Sequence, residues 1–265
     1  MRAYAAIASR QFQSALQYRG NYALGMLSSL ALVLAMFFFW HAGFDGRSAI
    51  AGYSWAQTKT YLLIGYLSAN LVATSSEARM SESIRTGNVL CDLLLPVDFQ
   101  GARLSEALGS VAAQGVPALL VTLAVAVAVA FSGVLPPSGI GAALGAAVAL
   151  GLGVVLKSAI VYASALVCFW TTNYVGIAWS RAALTNLLCG ALVPLAFFPA
   201  GVAAVLRWLP FAGITDTPAR IYLGQLVGVH AFLAVCLEAA WTVAVLFGGR
   251  VLWRAASAQV TIHGG

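Results

Sequence analysis

Residues Leu119–Phe131 read LLVTLAVAVAVAF, an apolar run interrupted only by the hydroxyl of Thr122. A membrane β-strand would alternate apolar and polar side chains along its length, and this stretch does not. With the residues before it, the run reaches the roughly 20 apolar positions that a helix needs to cross the hydrocarbon. In lipid a backbone must satisfy its own polar groups, which leaves helices or closed barrels. The run therefore predicts a membrane helix, and other segments of similar character predict an all-α integral membrane protein.

Composition supports this reading. Of 265 residues, 61% are apolar and 8% are charged, whereas soluble domains carry about a quarter charged residues. The formal charge is +6. The basic residues stand singly beside apolar spans, without interleaved aromatics, so they read as topology signals and not as a nucleic-acid surface. Cys91, Cys168, Cys189 and Cys236 form no CxxC pair and read as small buried side chains, not a disulfide framework.

Along the chain, residues 1–20 predict an amphipathic interfacial helix. Tyr4, Ala5, Ala8, Phe12, Ala15 and Leu16 fall on one side, with Arg2, Ser9, Arg10, Gln13 and Gln17 opposite. Six spans are expected at about 21–41, 55–76, 107–131, 140–170, 177–198 and 225–251, in a single membrane domain covering 21–265. The first span ends in Phe37-Phe38-Phe39-Trp40 without a small-residue cleavage site, so it is expected to be retained. Lys59 is expected to snorkel outward from the start of the second span. The segment 77–106 holds most of the acids. Ala200–Gly224, broken by prolines, is expected to form an outer re-entrant hairpin between spans five and six.

Orientation follows from the basic residues. With the N-terminus inside, Arg2, Arg10, Arg19, Arg79, Arg85, Arg103, Arg181, Arg250 and Arg254 are cytoplasmic, against Arg47, Lys59, Arg207 and Arg220 outside. Both termini are then cytoplasmic.

Several chemistries lack their residues. No G-x-x-x-x-G-K-[ST] loop occurs, and neither Lys59 nor Lys157 follows a glycine, so this chain carries no phosphate-cradling loop of that kind. There is no HExxH, and His41, His230 and His263 are far apart in sequence, so no metal site is expected. Lys157 and Glu238 are the charges set deepest in spans. Buried charges are usually paired or face water, and an ion pair between spans four and six is the sharper expectation. Gly141, Gly145, Gly151 and Gly153 predict close helix packing. Ser76–Arg85 contains helix formers with mixed charge, followed by Gly87 and Asn88 as C-cap candidates.

The stretch Ile84-Arg85-Thr86-Gly87-Asn88-Val89-Leu90-Cys91-Asp92-Leu93-Leu94-Leu95-Pro96 resembles the I-R-x-G-x-L-x-x-L-L-x-P pattern of ABC-2-type transporter permeases, with Val89 and Leu90 leaving its first apolar position ambiguous by one. Pro194–Pro199, Leu209-Pro210-Phe211 and Pro218–Tyr222 with Gly224 resemble that family's outer re-entrant segment. The likeness is to its bacterial drug-export-like branch, which often has two related permease subunits.

This resemblance implies a cytoplasmic coupling helix between spans two and three, docking on a separate ABC ATPase present in two copies. Glu77, Arg79, Glu82, Ile84 and Arg85 would make that contact. ATP and Mg would belong to the ATPase, with no cofactor in this chain. It further implies a second permease subunit, identical or paralogous, in the cell (inner) membrane. Candidate pathway residues are Phe37, Tyr61, Tyr66, Asn70 and Asn186. The implied function is export of a hydrophobic or amphipathic substrate. An ion-coupled secondary transporter would want internal repeats and midplane acids, and Glu238 alone is thin support; a non-transporting membrane scaffold is the other rival.

Overall fold

The computed structural model describes residues 2–17, 19–71, 75–89, 96–130, 133–171 and 174–258. Among the described residues ten helices run α1 (Arg2–Gln17), α2 (Arg19–Gly43), α3 (Trp55–Asn70), α4 (Ser75–Arg85), α5 (Phe99–Ala130), α6 (Ile140–Leu166), α7 (Tyr174–Leu188), α8 (Ala200–Trp208), α9 (Ala212–Tyr222) and α10 (Gly228–Ser257). Between α2 and α3 the polar loop closes as a small antiparallel ribbon, Ala49–Ile50 (β1) with Tyr53–Ser54 (β2).

Among the described residues, four helices are long and apolar enough to cross a membrane: Ala23–Gly43, Phe99–Val125, Ile140–Phe169 and Gly228–Ser257. The expected second and fifth spans are shorter. α3 has 16 residues and α7 has 15, or roughly 24 and 22 Å at 1.5 Å per residue. α3 starts sharply because Ser54 and Gln57 form a reciprocal capping box. α7 stops at Leu188, before Pro194, and a short 3-10 turn at Leu195–Phe197 follows.

Helix α5, which carries the expected third span, begins at Phe99, eight residues before the expected start of that span. Asp98 explains the difference: its Oδ2 accepts the backbone N–H of Gly101 at 2.8 Å, which satisfies an orphan donor of the first turn. Arg103 then pairs with Glu106 at 3.0 Å within the helix. The coupling segment expected over 77–106 is therefore shorter than its polar sequence suggests.

The α1 helix lies along α5. Gln11, not the expected apolar face alone, makes the buried contact, its Nε2 donating to Ser110 Oγ at 3.1 Å. Tyr4 Oη accepts the backbone N–H of Asp98 at 3.1 Å, while Phe12 is 37% exposed. Lys59 also differs from expectation. It is buried, and its ammonium lies 5.6 Å from the Trp55 ring centroid instead of reaching outward.

Both α9 and α10 pack along α6. The approach is closest where α9 begins. A Cβ on Gly153 would lie 3.0 Å from the Gly213 carbonyl oxygen and 3.2 Å from Ile214 Cα. Gly145 similarly faces Ile221, whereas Gly141 and Gly151 have nothing within 4 Å of a built Cβ. Two of the four glycines thus serve helix packing.

Backbone cannot yield at Gly153 as a flexible side chain could. Gly153→Leu should cost about 1–3 kcal/mol by overpacking and lower the thermal midpoint of the detergent-solubilised protein. Gly141→Leu should leave that midpoint unchanged.

Candidate functional site

The α4 helix has two unlike faces. Met80 and Ser81 are buried and Ile84 is half-buried, while Glu82 and Arg85 are exposed. Met80 joins a core with Val89, Phe99, Tyr162, Ala165 and Leu166, against which Ile84, Phe169, Leu252 and Trp253 pack. The Phe99 and Trp253 rings stack there with centroids 3.9 Å apart and planes at 8°. The core joins the start of α5, the end of α6 and the end of α10. An apolar clamp therefore holds α4 where three long helices converge.

The exposed pair, Arg85 NH1 to Glu82 Oε2, spans 3.3 Å. An exposed pair of this kind contributes little to stability, so its charge is available for another surface. The end of α4 is well defined. Thr86 N–H donates to Glu82 O at 2.9 Å and Gly87 N–H to Ile84 O at 3.3 Å, with Gly87 at φ +77°. That left-handed conformation suits glycine and stops the helix.

Of the five residues assigned to coupling, Glu82 and Arg85 face outward and Ile84 turns into the core. Glu77 and Arg79 stand on α4, with side chains outside the described residues. Leu90–Leu95 of the motif also lies outside them.

A second polar region occupies the interior. Lys157 Nζ donates to Ala69 O at 2.9 Å and to Ser68 O at 3.4 Å, capping the last carbonyls of α3. Ser68 Oγ and Thr215 Oγ1 share a hydrogen bond of 2.7 Å, and Thr215 Oγ1 donates to Cys189 Sγ at 3.6 Å. Glu238 is 3% exposed, and neither of its carboxylate oxygens has a hydrogen-bond partner among the described residues. The expected Lys157–Glu238 pair does not form. The lysine is engaged by α3, while Glu238 lies against Gly213 at the start of α9.

The candidate pathway residues are not gathered on one open surface. Tyr61 is wholly buried, its Oη donating to Asp216 Oδ1 at 3.0 Å, and Tyr66 is 2% exposed. Neither lines an open face of this chain. Asn70 is half-buried and its Nδ2 donates to Tyr66 O at 2.9 Å. Asn186 is half-buried on α7. Phe37 is half-buried beside Trp55, with ring centroids 5.0 Å apart.

Asp216 is the residue that sequence reasoning missed. It is 1% exposed and receives Arg207 at 3.6 Å and Arg220 at 3.8 Å, in addition to Tyr61. Beside this cluster Tyr53 Oη donates to Gln225 Oε1 at 2.6 Å. Burial first, and the Asp216 charge second, push the Tyr53 phenol up to about 12. The i,i+4 spacing of Asp216 and Arg220 was a usable signal. Both arginines had served only as topology markers.

Long apolar helices, a polar interior and a clamped amphipathic helix define a multi-pass membrane protein. The family model described as ABC-2 family transporter protein matches residues 30–264, and the chain belongs to that family. It is a family of membrane permease subunits that work with an ABC ATPase. Comparison with curated proteins gives no match.

Lys157 caps α3 while Glu238 packs against Gly213, and this separation has a measurable consequence. Lys157→Glu and Glu238→Lys should each destabilise the protein, and the double reversal should not recover either loss. A double-mutant cycle on thermal stability should give a coupling energy near zero.

Proposed function

We propose that this chain is the transmembrane subunit of an ATP-driven exporter for a hydrophobic or amphipathic substrate. The observation carrying this reading is the two-faced α4. Its apolar side grips α5, α6 and α10, and its charged side is presented outward. A push on Glu82 and Arg85 would reach three long helices through Met80 and Ile84, without first deforming a loose loop. Close-packed interiors transmit such displacements because they yield little.

In this reading α4 is cytoplasmic and contacts a separate ABC ATPase, present in two copies, which holds ATP and Mg. Both termini are cytoplasmic in the cell (inner) membrane. Six crossings arise if α3 and α7 complete theirs with the flanking segments. The α8–α9 pair then forms a re-entrant hairpin on the outer side. Its buried polar groups are shielded by α3 and α6, as irregular structure at membrane depth requires. A second permease subunit, identical or paralogous, completes the pathway. Phe37, Asn70 and Asn186 remain candidates for lining it, because each is incompletely buried by this chain.

The test is charge reversal on the outward face of α4. Arg85→Glu should reduce ATPase co-purification or ATP-dependent efflux by roughly tenfold or more, with the permease still inserted at its normal level. Unchanged co-purification together with unchanged efflux would remove the coupling role from this helix.

A further inference from the structure

A cleft of about 670 Å³ opens between α6, α7 and the start of α9. Its volume falls within the range of small-molecule sites, roughly 300–1,000 Å³. Its wall is apolar at Ile160, Ile177, Leu184 and Phe211, and Arg181 is the cation lining it. No carboxylate lines the cleft among the described residues. Thr185, one helical turn beyond Arg181, is 2% exposed, and its hydroxyl has no hydrogen-bond partner among the described residues. Buried hydroxyls are normally satisfied, so this one marks a place where a ligand oxygen is wanted.

We propose that the cleft holds an acidic lipid, with its phosphate at Arg181, an ester oxygen at Thr185 and one acyl chain along Leu184, Ile160 and Phe211. The order of groups fits the helix. Side chains tilt toward a helix N-terminus, so Arg181 leans toward the Tyr174 end of α7 and Thr185 lies about 6 Å further along the axis. A phosphate followed by an ester and a chain descends in the same sequence. A guanidinium set within a span is accommodated by reaching toward the headgroups. Arg181 also makes a geometrically suited partner for phosphate, which it can hold through two parallel N–H groups. The proposal goes beyond the export reading. It shares with that reading only the orientation that places this end of α7 in the inner leaflet.

Native mass spectrometry of the full chain in detergent tests it, because binding there depends on neither an ATPase nor orientation. The probes are dioleoyl phosphatidylglycerol, dioleoyl phosphatidylcholine and glycerol phosphate. The wild-type chain should retain the phosphatidylglycerol over the phosphatidylcholine severalfold, because phosphatidylcholine carries the same phosphate together with a choline cation that Arg181 repels. Arg181→Gln should abolish this preference, Arg181→Lys should keep most of it, and Arg254→Gln should leave it intact. Thr185→Val should lower retention of phosphatidylglycerol severalfold. An equal preference in wild type and Arg181→Gln would overturn the site. Displacement of phosphatidylglycerol by glycerol phosphate would show a plain anion site and overturn the lipid assignment. A chain that runs as a dimer with no retained phosphatidylglycerol would assign the cleft to a subunit interface instead.

Discussion

The contact between the start of α9 and the middle of α6 is the constraint on which the rest of the molecule depends. Gly153 allows the Gly213–Ile214 backbone to approach within contact distance of α6, and Glu238 of α10 closes over Gly213. Three elements from distant parts of the chain thus meet where no side chain larger than hydrogen fits between two of them. Once that approach is made, Thr215 reaches Ser68 of α3 and Asp216 reaches Tyr61. Arg207 and Arg220 lie close enough to offset the buried charge of Asp216. A buried carboxylate without such partners would be strongly unfavourable. The polar groups of α8 and α9 are therefore part of one arrangement with α3.

At the other end of α6 the organising element is apolar. Tyr162 and Leu166 pack with Phe99, Met80 and the Trp253 ring, so the start of α5, the end of α10 and α4 share one core. Helix α6 joins this core to the α9 contact over a continuous run from Ile140 to Leu166. The far part of α6 packs against α9, whose Asp216 belongs to the polar interior. This continuity relates the outward charges of α4 to the polar interior.

Much of the fold was legible because long apolar runs have few physical options. Leu119–Phe131 could only be helical, and Gly87 announced the end of α4 through its position after Arg85. What was illegible depends on tertiary neighbours. Polar Gln100, Arg103 and Glu106 concealed the start of α5, although Asp98 carried a capping signal that local chemistry could have supplied. Lys157 and Glu238 looked like natural partners because both are charges in spans. Sequence spacing does not reveal that Lys157 caps α3 or that Glu238 abuts Gly213. Tyr61 and Tyr66 were pathway candidates through the family resemblance, but tertiary packing buries both, Tyr61 against Ala219 and Asp216 of α9. The helix and mixed charge of α4 were readable in the sequence, whereas its two faces and the inward turn of Ile84 required the core it enters.

In the proposed topology α4 and the α8–α9 pair lie on opposite sides of the membrane, connected by α6. Sided labelling of single-cysteine variants in intact cells tests it most directly, using a membrane-impermeant maleimide on a background with the native cysteines replaced. A cysteine at Ser83 of α4 should be protected until the cells are opened, while one at Ala204 of α8 should react from outside. Reaction of both positions from the same side would contradict the account.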